Sequence, residues 1–385
     1  MKKVLKFSLI TALLLLSLWQ LGGFHFLAYR FMFVPDYDQS YAAEFPATYS
    51  PRLVQMKTTV IAENLNIPWE VVALPDGRFL VTERPGQVLI LDQGRIKTIT
   101  PVLHLGEGGL LGMSLHPDFG QNPYVYLYYT YRQGLHIYNR VSRFIFSSDR
   151  LVDEQILMDQ IPGSVVHNGG RIGFGPDQCL YITTGDALNK ASAQDISSMA
   201  GKILRIHADG SIPEDNPFPG SPVFSYGHRN PQGLAWHPVT GALYSSEHGP
   251  LRQDEINLIS GGQNYGWPIV SCAEGPGKFQ DPVLCYADFT LAPSGMSFIP
   301  SPGHPREGHL LVAGLRGNML MYIILDQTGK PMHQIPLLQD HGRLRTVVFH
   351  HGFLYVATNN RDGRGQPHDH SDILIKVELI YHNGD

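Results

Sequence analysis

The chain has 385 residues, of which 40 are Gly and 28 are Pro, so turns must be frequent. Charged residues make up only 16%, too few to coat the solvent faces of a helical bundle, while 43% hydrophobic residues with 18 Tyr and 18 Phe exclude global disorder. A formal charge of -5 without a basic run argues against nucleic acid as a partner, and what remains is a large all-β domain.

At the start, Lys2, Lys3 and Lys6 precede Phe7–Tyr29, a stretch of 23 residues without Lys, Arg, Asp or Glu. Residues 1–29 therefore read as either a signal peptide or an uncleaved membrane anchor, and basic residues ahead of the apolar run place the remaining chain outside the cytoplasm, periplasmic or otherwise extracytoplasmic. A Pro-containing linker over 30–55 leads into the remaining domain, 56–382.

Within that domain a turn signal followed by an apolar strand recurs six times. The copies are Pro75-Asp76-Gly77 before FLVTE, His116-Pro117-Asp118 before YVYLYYT, Gly175-Pro176-Asp177 before CLYITTG, His237-Pro238 before ALYSSEHG, His304-Pro305 before HLLVAGL, and His350-His351-Gly352 before FLYVATN. Their spacing of about 40 to 70 residues fits propeller blades with insertions, and VLILD, RVSRFIF, KILRIHA and NMLMYIIL supply further strands. The expected fold is a six-bladed β-propeller with four-stranded antiparallel blades, and one short helix is expected near Ala193–Ala200. A large sandwich or barrel would also contain such turns, but the copies share small or polar endings where strands would reach a central channel.

Propellers bind ligands at one mouth, so polar residues beside glycine are the candidates. His167, in HNGGR, is followed 19 residues later by Asp186, which could fix its tautomer for general-base work; a structural turn histidine is the plainer reading. YGHRNPQG packs Arg229 and Asn230 between residues that restrict the backbone. SEHGP offers Gly249 and Pro250 carbonyls beside Asp254 and Glu255, which suits a hard cation such as calcium. Arg316, Arg343 and Arg345 could hold an anion with several carboxylates, or be solvated arginines on a blade edge. Cys272 and Cys285 lie close enough in sequence to clip a loop. Cys179, in an apolar run, is expected to be a buried free thiol.

In order, IPWEVVALPDGRFLVTERPG, GGLLGMSLHPDF, HNGGRIGFGPD, TTGDA, GKILRI, YGHRNPQGL, SEHGP, DEINLI, NYGWP, APSGM and GLRGN resemble the soluble quinoprotein glucose/sorbosone dehydrogenase family. The match is most similar to its aldose sugar dehydrogenases that use pyrroloquinoline quinone (PQQ), over about Ile67 to Asn360. The resemblance implies PQQ and calcium in a central cleft and oxidation of the C1 hydroxyl of an aldose sugar to a lactone. Electrons then pass to an external acceptor, a quinone or a redox protein.

By the same resemblance His167 is the general base at the sugar hydroxyl while hydride passes to the quinone, and Asp186 orients it. Gly249 and Pro250 give carbonyls to calcium, Arg229 and Asn230 contact the quinone, and Arg316, Arg343 and Arg345 neutralise its carboxylates. Glu255 and Tyr265 match a further calcium site. Glu107, in GEGGLLG, stands where relatives often have a cofactor-contacting glutamine; a carboxylate there repels an anionic quinone unless protonated or paired. Val270–Leu291 aligns poorly and is expected to shape the substrate mouth. Two other functions fit a propeller: a calcium-dependent lactonase, or a non-catalytic module binding a glycan or protein.

Overall fold

The computed structural model describes residues 55–91, 94–272, 277–300 and 307–380. The proposed signal or anchor over 1–29 and nearly all of the linker lie outside the described residues, as does the His304-Pro305 turn. Among the described residues no helix is long and apolar enough to cross a membrane.

The first strand, β1 (Gln55–Ala62), pairs with the last, β24 (Leu374–Ile380), and so closes a ring of six four-stranded antiparallel sheets. Blade one runs from β2 (Pro68–Ala73) to β5 (Gly94–Thr98), and blade two from β6 (Leu110–Leu115) to β9 (Arg150–Pro162). Blade three spans β10 (Ile172–Phe174) to β13 (Val223–Tyr226), and blade four β14 (Pro231–Trp236) to β17 (Leu284–Tyr286). Blade five spans β18 (Pro293–Phe298) to β21 (Pro331–Leu337), and blade six joins β22 (Leu344–His350), β23 (Phe353–Thr358) and β24 to β1.

The six repeated apolar segments are the second strands of the six blades. They are mainly apolar because both faces are covered: FLVTE, LYITT, LYSSE and LLVAG are buried at every position, including polar ends such as Thr82, Glu83, Ser246 and Glu247. The core accordingly forms six hydrophobic clusters among the described residues, one at each blade–blade interface. Outer strands alternate or face water, as in β1 and β9.

The repeated turns lie at the mouth from which the second strands depart. These strands therefore end at the opposite mouth, together with the connections that enter each next blade. The innermost strands carry register shifts at Pro68/Glu70, Leu110/Met113, Pro231/Gly233, Pro293/Met296 and Leu344/Thr346. Such bulges re-aim side chains, and those skipped include Trp69, Gln232, Ser294 and Arg345.

The helix expected near Ala193–Ala200 is replaced by a single 3-10 turn at Lys190–Ala193. Side chains claim the backbone that a helix would need. Lys202 Nζ donates to the carbonyls of Ser192, Ala193 and Ala200 at 2.7, 3.0 and 2.7 Å. Asp195 accepts both the N–H and hydroxyl of Ser197, which favours a local turn. Cys272 and Cys285 form a disulfide with Cα atoms 5.4 Å apart, and Cys179 is a buried free thiol.

Candidate active site

A cleft of about 360 Å³ opens at the mouth where the second strands end. Glu107, His167, Arg229, Gly249, Arg316 and Arg343 all line it, although they come from separate stretches of sequence. Arg345 lies deeper, in a small extension of the channel that also touches Glu107.

His167 and Asp186 meet as the sequence suggested. His167 Nδ1 and Asp186 Oδ1 are 2.7 Å apart, while the other Asp186 oxygen accepts Trp267 Nε1–H at 2.9 Å. Trp267 reaches this place because Asn264 forms a parallel bridge to Tyr226 and the following residues climb the edge of blade three. Gly185 permits the close approach: a β-carbon there would sit 2.0 Å from the His167 carbonyl oxygen. His167 itself has φ 58°, a left-handed conformation that costs a residue with a β-carbon about 1–2 kcal/mol.

The YGHRNPQG and SEHGP motifs are tied together by Glu247. One of its oxygens takes the Arg229 and Asn230 N–H groups, the other faces His228 Nδ1 at 2.9 Å, and His228 Nε2 is 2.8 Å from Ser225 Oγ. Asn230 is fully buried, with its oxygen accepting Gly169 N–H at 3.0 Å. It braces the HNGG segment. Arg229 stacks over Trp267 at 5.3 Å and donates to His248 O at 3.1 Å.

The arginines divide by their partners. Arg343 is paired with Asp362 at 2.9 Å, whereas Arg229, Arg316 and Arg345 have no carboxylate partner among the described residues. Arg345 donates to Gln232 Oε1 at 2.8 Å and Ser294 Oγ at 3.2 Å, and burial strongly disfavours its charge. The Nε atoms of Arg229, Arg343 and Arg345, and Nε2 of His248, are buried without a hydrogen-bond partner. Arg343 and Arg345 both turn inward but reach different depths, because the bulge between Leu344 and Thr346 breaks the strand alternation. Below them Arg171 pairs with Glu70, lies 4.1 Å over Trp69 and donates to Gln232 O, filling the channel.

Glu107 is paired, which answers the repulsion expected there. Arg364 Nη1 lies 2.9 Å from one oxygen, and the other accepts His167 N–H at 2.9 Å. Arg364 and His248 are the cleft residues that sequence reasoning missed. Both lie beside glycine in the loop after a second strand, as Arg316 does, His248 one and Arg364 six residues beyond the strand end, so the phase of the repeat points to these loops.

Gly249 N–H donates to Asp254 Oδ1 at 3.0 Å, and the Pro250 carbonyl accepts Arg252 N–H at 2.7 Å. A β-carbon on Gly249 would lie 1.9 Å from the Gln253 carbonyl oxygen, so this turn requires glycine. Glu255 and Glu247 face a small cavity of about 10 Å³ that Tyr265 also lines. Burial and the neighbouring Glu247 push the Glu255 carboxyl up. The Tyr265 hydroxyl is occupied with Leu258 O and Ser260 N–H, both at 2.8 Å. Among the described residues no group of three or more His, Cys, Asp and Glu is arranged to hold a metal ion, so a cation here would depend on carbonyls. Thr290 and Ala292 of the poorly aligned stretch and its flank do line the cleft.

Glu107, Asp186 and Asp362 share one electrostatic behaviour. Burial opposes the charge of each, yet Arg364 and His167 for Glu107, His167 and Trp267 for Asp186, and Arg343 and Arg84 for Asp362 hold them below their ordinary values of 4.5, 3.8 and 3.8. The folded state then binds fewer protons than the unfolded chain, so this stabilisation is complete above those values and is lost as pH falls through the lower folded ones. Urea unfolding is expected to show stability falling below about pH 4, with a shallower fall in Asp362→Asn. An identical slope in the variant would contradict the assignment.

One mouth of this six-bladed propeller thus holds a His–Asp pair and a set of guanidiniums. The chain belongs to the Glucose / Sorbosone dehydrogenase family, whose pattern matches residues 65–375. It is 31% identical over 338 residues to the aldose sugar dehydrogenase YliI of Escherichia coli, covering 79% of this chain and 90% of that protein. It is 37% identical over 271 residues to quinoprotein glucose dehydrogenase B of Acinetobacter calcoaceticus, covering 60% of this chain and 55% of that one. The PQQ-bound aldose sugar dehydrogenase of Streptomyces coelicolor superposes with a TM-score of 0.78 at 37% identity, covering 86% of this chain and all of the other.

Proposed function

We propose that this protein is a PQQ-dependent aldose sugar dehydrogenase that acts outside the cytoplasm and oxidises the C1 hydroxyl of aldoses to lactones. The observation that carries this reading is a His–Asp dyad beside two guanidiniums of the cleft, Arg229 and Arg316, and a third deeper in the channel, Arg345, all lacking a carboxylate partner among the described residues. A quinone with three carboxylates supplies the missing charge, and the orphaned Nε atoms of Arg229, Arg343 and Arg345 supply donors for it. Water activation by a lactonase gives those cations no task, and a non-catalytic module gives none to the dyad.

When bound, PQQ would accept the hydride leaving C1, and calcium held by the Gly249 and Pro250 carbonyls would act beside it as a Lewis acid. His167, with Nδ1–H directed to the ionised Asp186, keeps the Nε2 lone pair for the C1 hydroxyl proton. Asp186 stabilises the imidazolium that results, and Trp267 Nε1 keeps the carboxylate in place. Arg229, Arg316, Arg343 and Arg345 orient the cofactor by its charge. Glu247 and Glu255, with the Tyr265 carbonyl, would hold a further calcium ion. The disulfide supports an oxidising compartment, as do the lysines ahead of the apolar N-terminal run. The test is reduction of an artificial dye by the purified chain with a panel of aldoses. Turnover is expected with PQQ and calcium and not without PQQ; turnover of equal rate without PQQ would reject the reading.

A further inference from the structure

His167 is held by its backbone as well as by its ring. Its left-handed φ of 58° persists only if its neighbours over-determine it. Its carbonyl accepts Ala187 N–H at 3.2 Å, and its own N–H is taken by Glu107 Oε2 at 2.9 Å. Glu107 is in turn fixed on several sides. Its N–H donates to Val165 O at 2.7 Å, Asn230 Nδ2 lies 3.4 Å from Oε2, and Arg364 Nη1 donates to Oε1 at 2.9 Å.

Arg364 belongs to the sixth blade, on the far side of the mouth. Its N–H donates to Asp362 Oδ1 at 2.9 Å, while Asp362 Oδ2 accepts Arg343 Nη2 at 2.9 Å. A string of alternating charge, Arg343, Asp362, Arg364 and Glu107, thus crosses the mouth and ends on the amide of the proposed base.

We infer that Glu107 and Arg364 form a positioning pair that sets the backbone of His167, and that Glu107 serves the reaction through His167 rather than by binding cofactor or substrate. The inference rests on the reading of His167 as the base. The chemistry of the side chain explains why a carboxylate stands here. Glu107 faces three donors, the His167 N–H and Asn230 Nδ2 at one oxygen and the Arg364 guanidinium at the other, and a carboxylate is acceptor-only. A glutamine carries one acceptor atom and one donor group, so one of these two sides would meet a donor instead.

The experiment compares wild type, Glu107→Gln and Glu107→Gln/Arg364→Gln as PQQ- and calcium-loaded enzymes. Glu107→Gln is expected to lower kcat about 10- to 100-fold with little change in KM or in quinone affinity. In the double variant the amide introduced at position 107 can donate to the new side-chain oxygen at position 364 and accept from the His167 N–H, so most of the lost kcat should return. A second measurement needs no turnover: hydrogen exchange of residues 163–169 in the cofactor-free protein should quicken in Glu107→Gln and slow again in the double variant.

An unchanged kcat and unchanged exchange in Glu107→Gln would overturn the inference. So would a double variant no better than the single one, or a Glu107→Gln effect confined to quinone affinity. If loaded wild type oxidises no aldose, the proposed function fails, while the exchange comparison still decides whether the pair holds the His167 backbone.

Discussion

His167→Ala should lower aldose turnover by about 10²- to 10⁴-fold while leaving the quinone bound. The expectation follows from the division of labour in the cleft. In the proposed reading the cofactor's charge would be met by Arg229, Arg316, Arg343 and Arg345, none of which depends on the imidazole. In the same reading the C1 hydroxyl proton would pass to His167 Nε2, set by the 2.7 Å contact of Nδ1 with Asp186. Stopped-flow measurement of quinone reduction by an aldose separates binding from the proton-coupled step. A variant that binds quinone and reduces it at the wild-type rate would remove His167 from the chemistry.

Gly185→Ala is expected to harm both stability and turnover, though residue 185 touches no ligand. Its β-carbon would lie 2.0 Å from the His167 carbonyl oxygen and 2.3 Å from the carbonyl carbon, so the backbone of the base must move. Overpacking of this kind costs about 1–3 kcal/mol, and displacement of a catalytic group by about 1 Å costs up to about 10²-fold in rate. Thermal unfolding of the cofactor-free protein measures the first effect, and kcat at saturating aldose the second. Wild-type kcat in this variant would show that the packing beneath His167 does not position it.

Much of the fold could be read from the sequence because its signal is repeated. Six Pro/Gly turns before apolar segments marked the second strand of every blade, because a strand covered on both faces is mainly apolar. VLILD, RVSRFIF, KILRIHA and NMLMYIIL contribute third strands. The segment near Ala193–Ala200 was misread because its pattern looks helical locally, whereas the carbonyls of Ser192, Ala193 and Ala200 are claimed by the side chain of Lys202. No local pattern reports such a bond.

The site was legible in part. His167 and Asp186 carry the strongest local signal, glycine beside a titratable side chain, and the structure brings them into contact. Glu107 looked like a problem for an anionic ligand because its counter-ion, Arg364, lies 257 residues away in sequence and on another blade. Strand alternation by itself would send Arg343 and Arg345 to one side at like depth, but the bulge in β22 sends one to the cleft and the other deeper. Pairwise geometry of this kind depends on blade packing and on bulges.

The most direct measurement is the absorbance of the quinone in the wild-type chain loaded with PQQ and calcium, recorded before and after addition of an aldose without dye. The account predicts a saturable quinone complex whose spectrum converts to the reduced form on addition of the sugar, with lactone formed in equal amount. A quinone that binds in the cleft and stays oxidised with every aldose offered would contradict it.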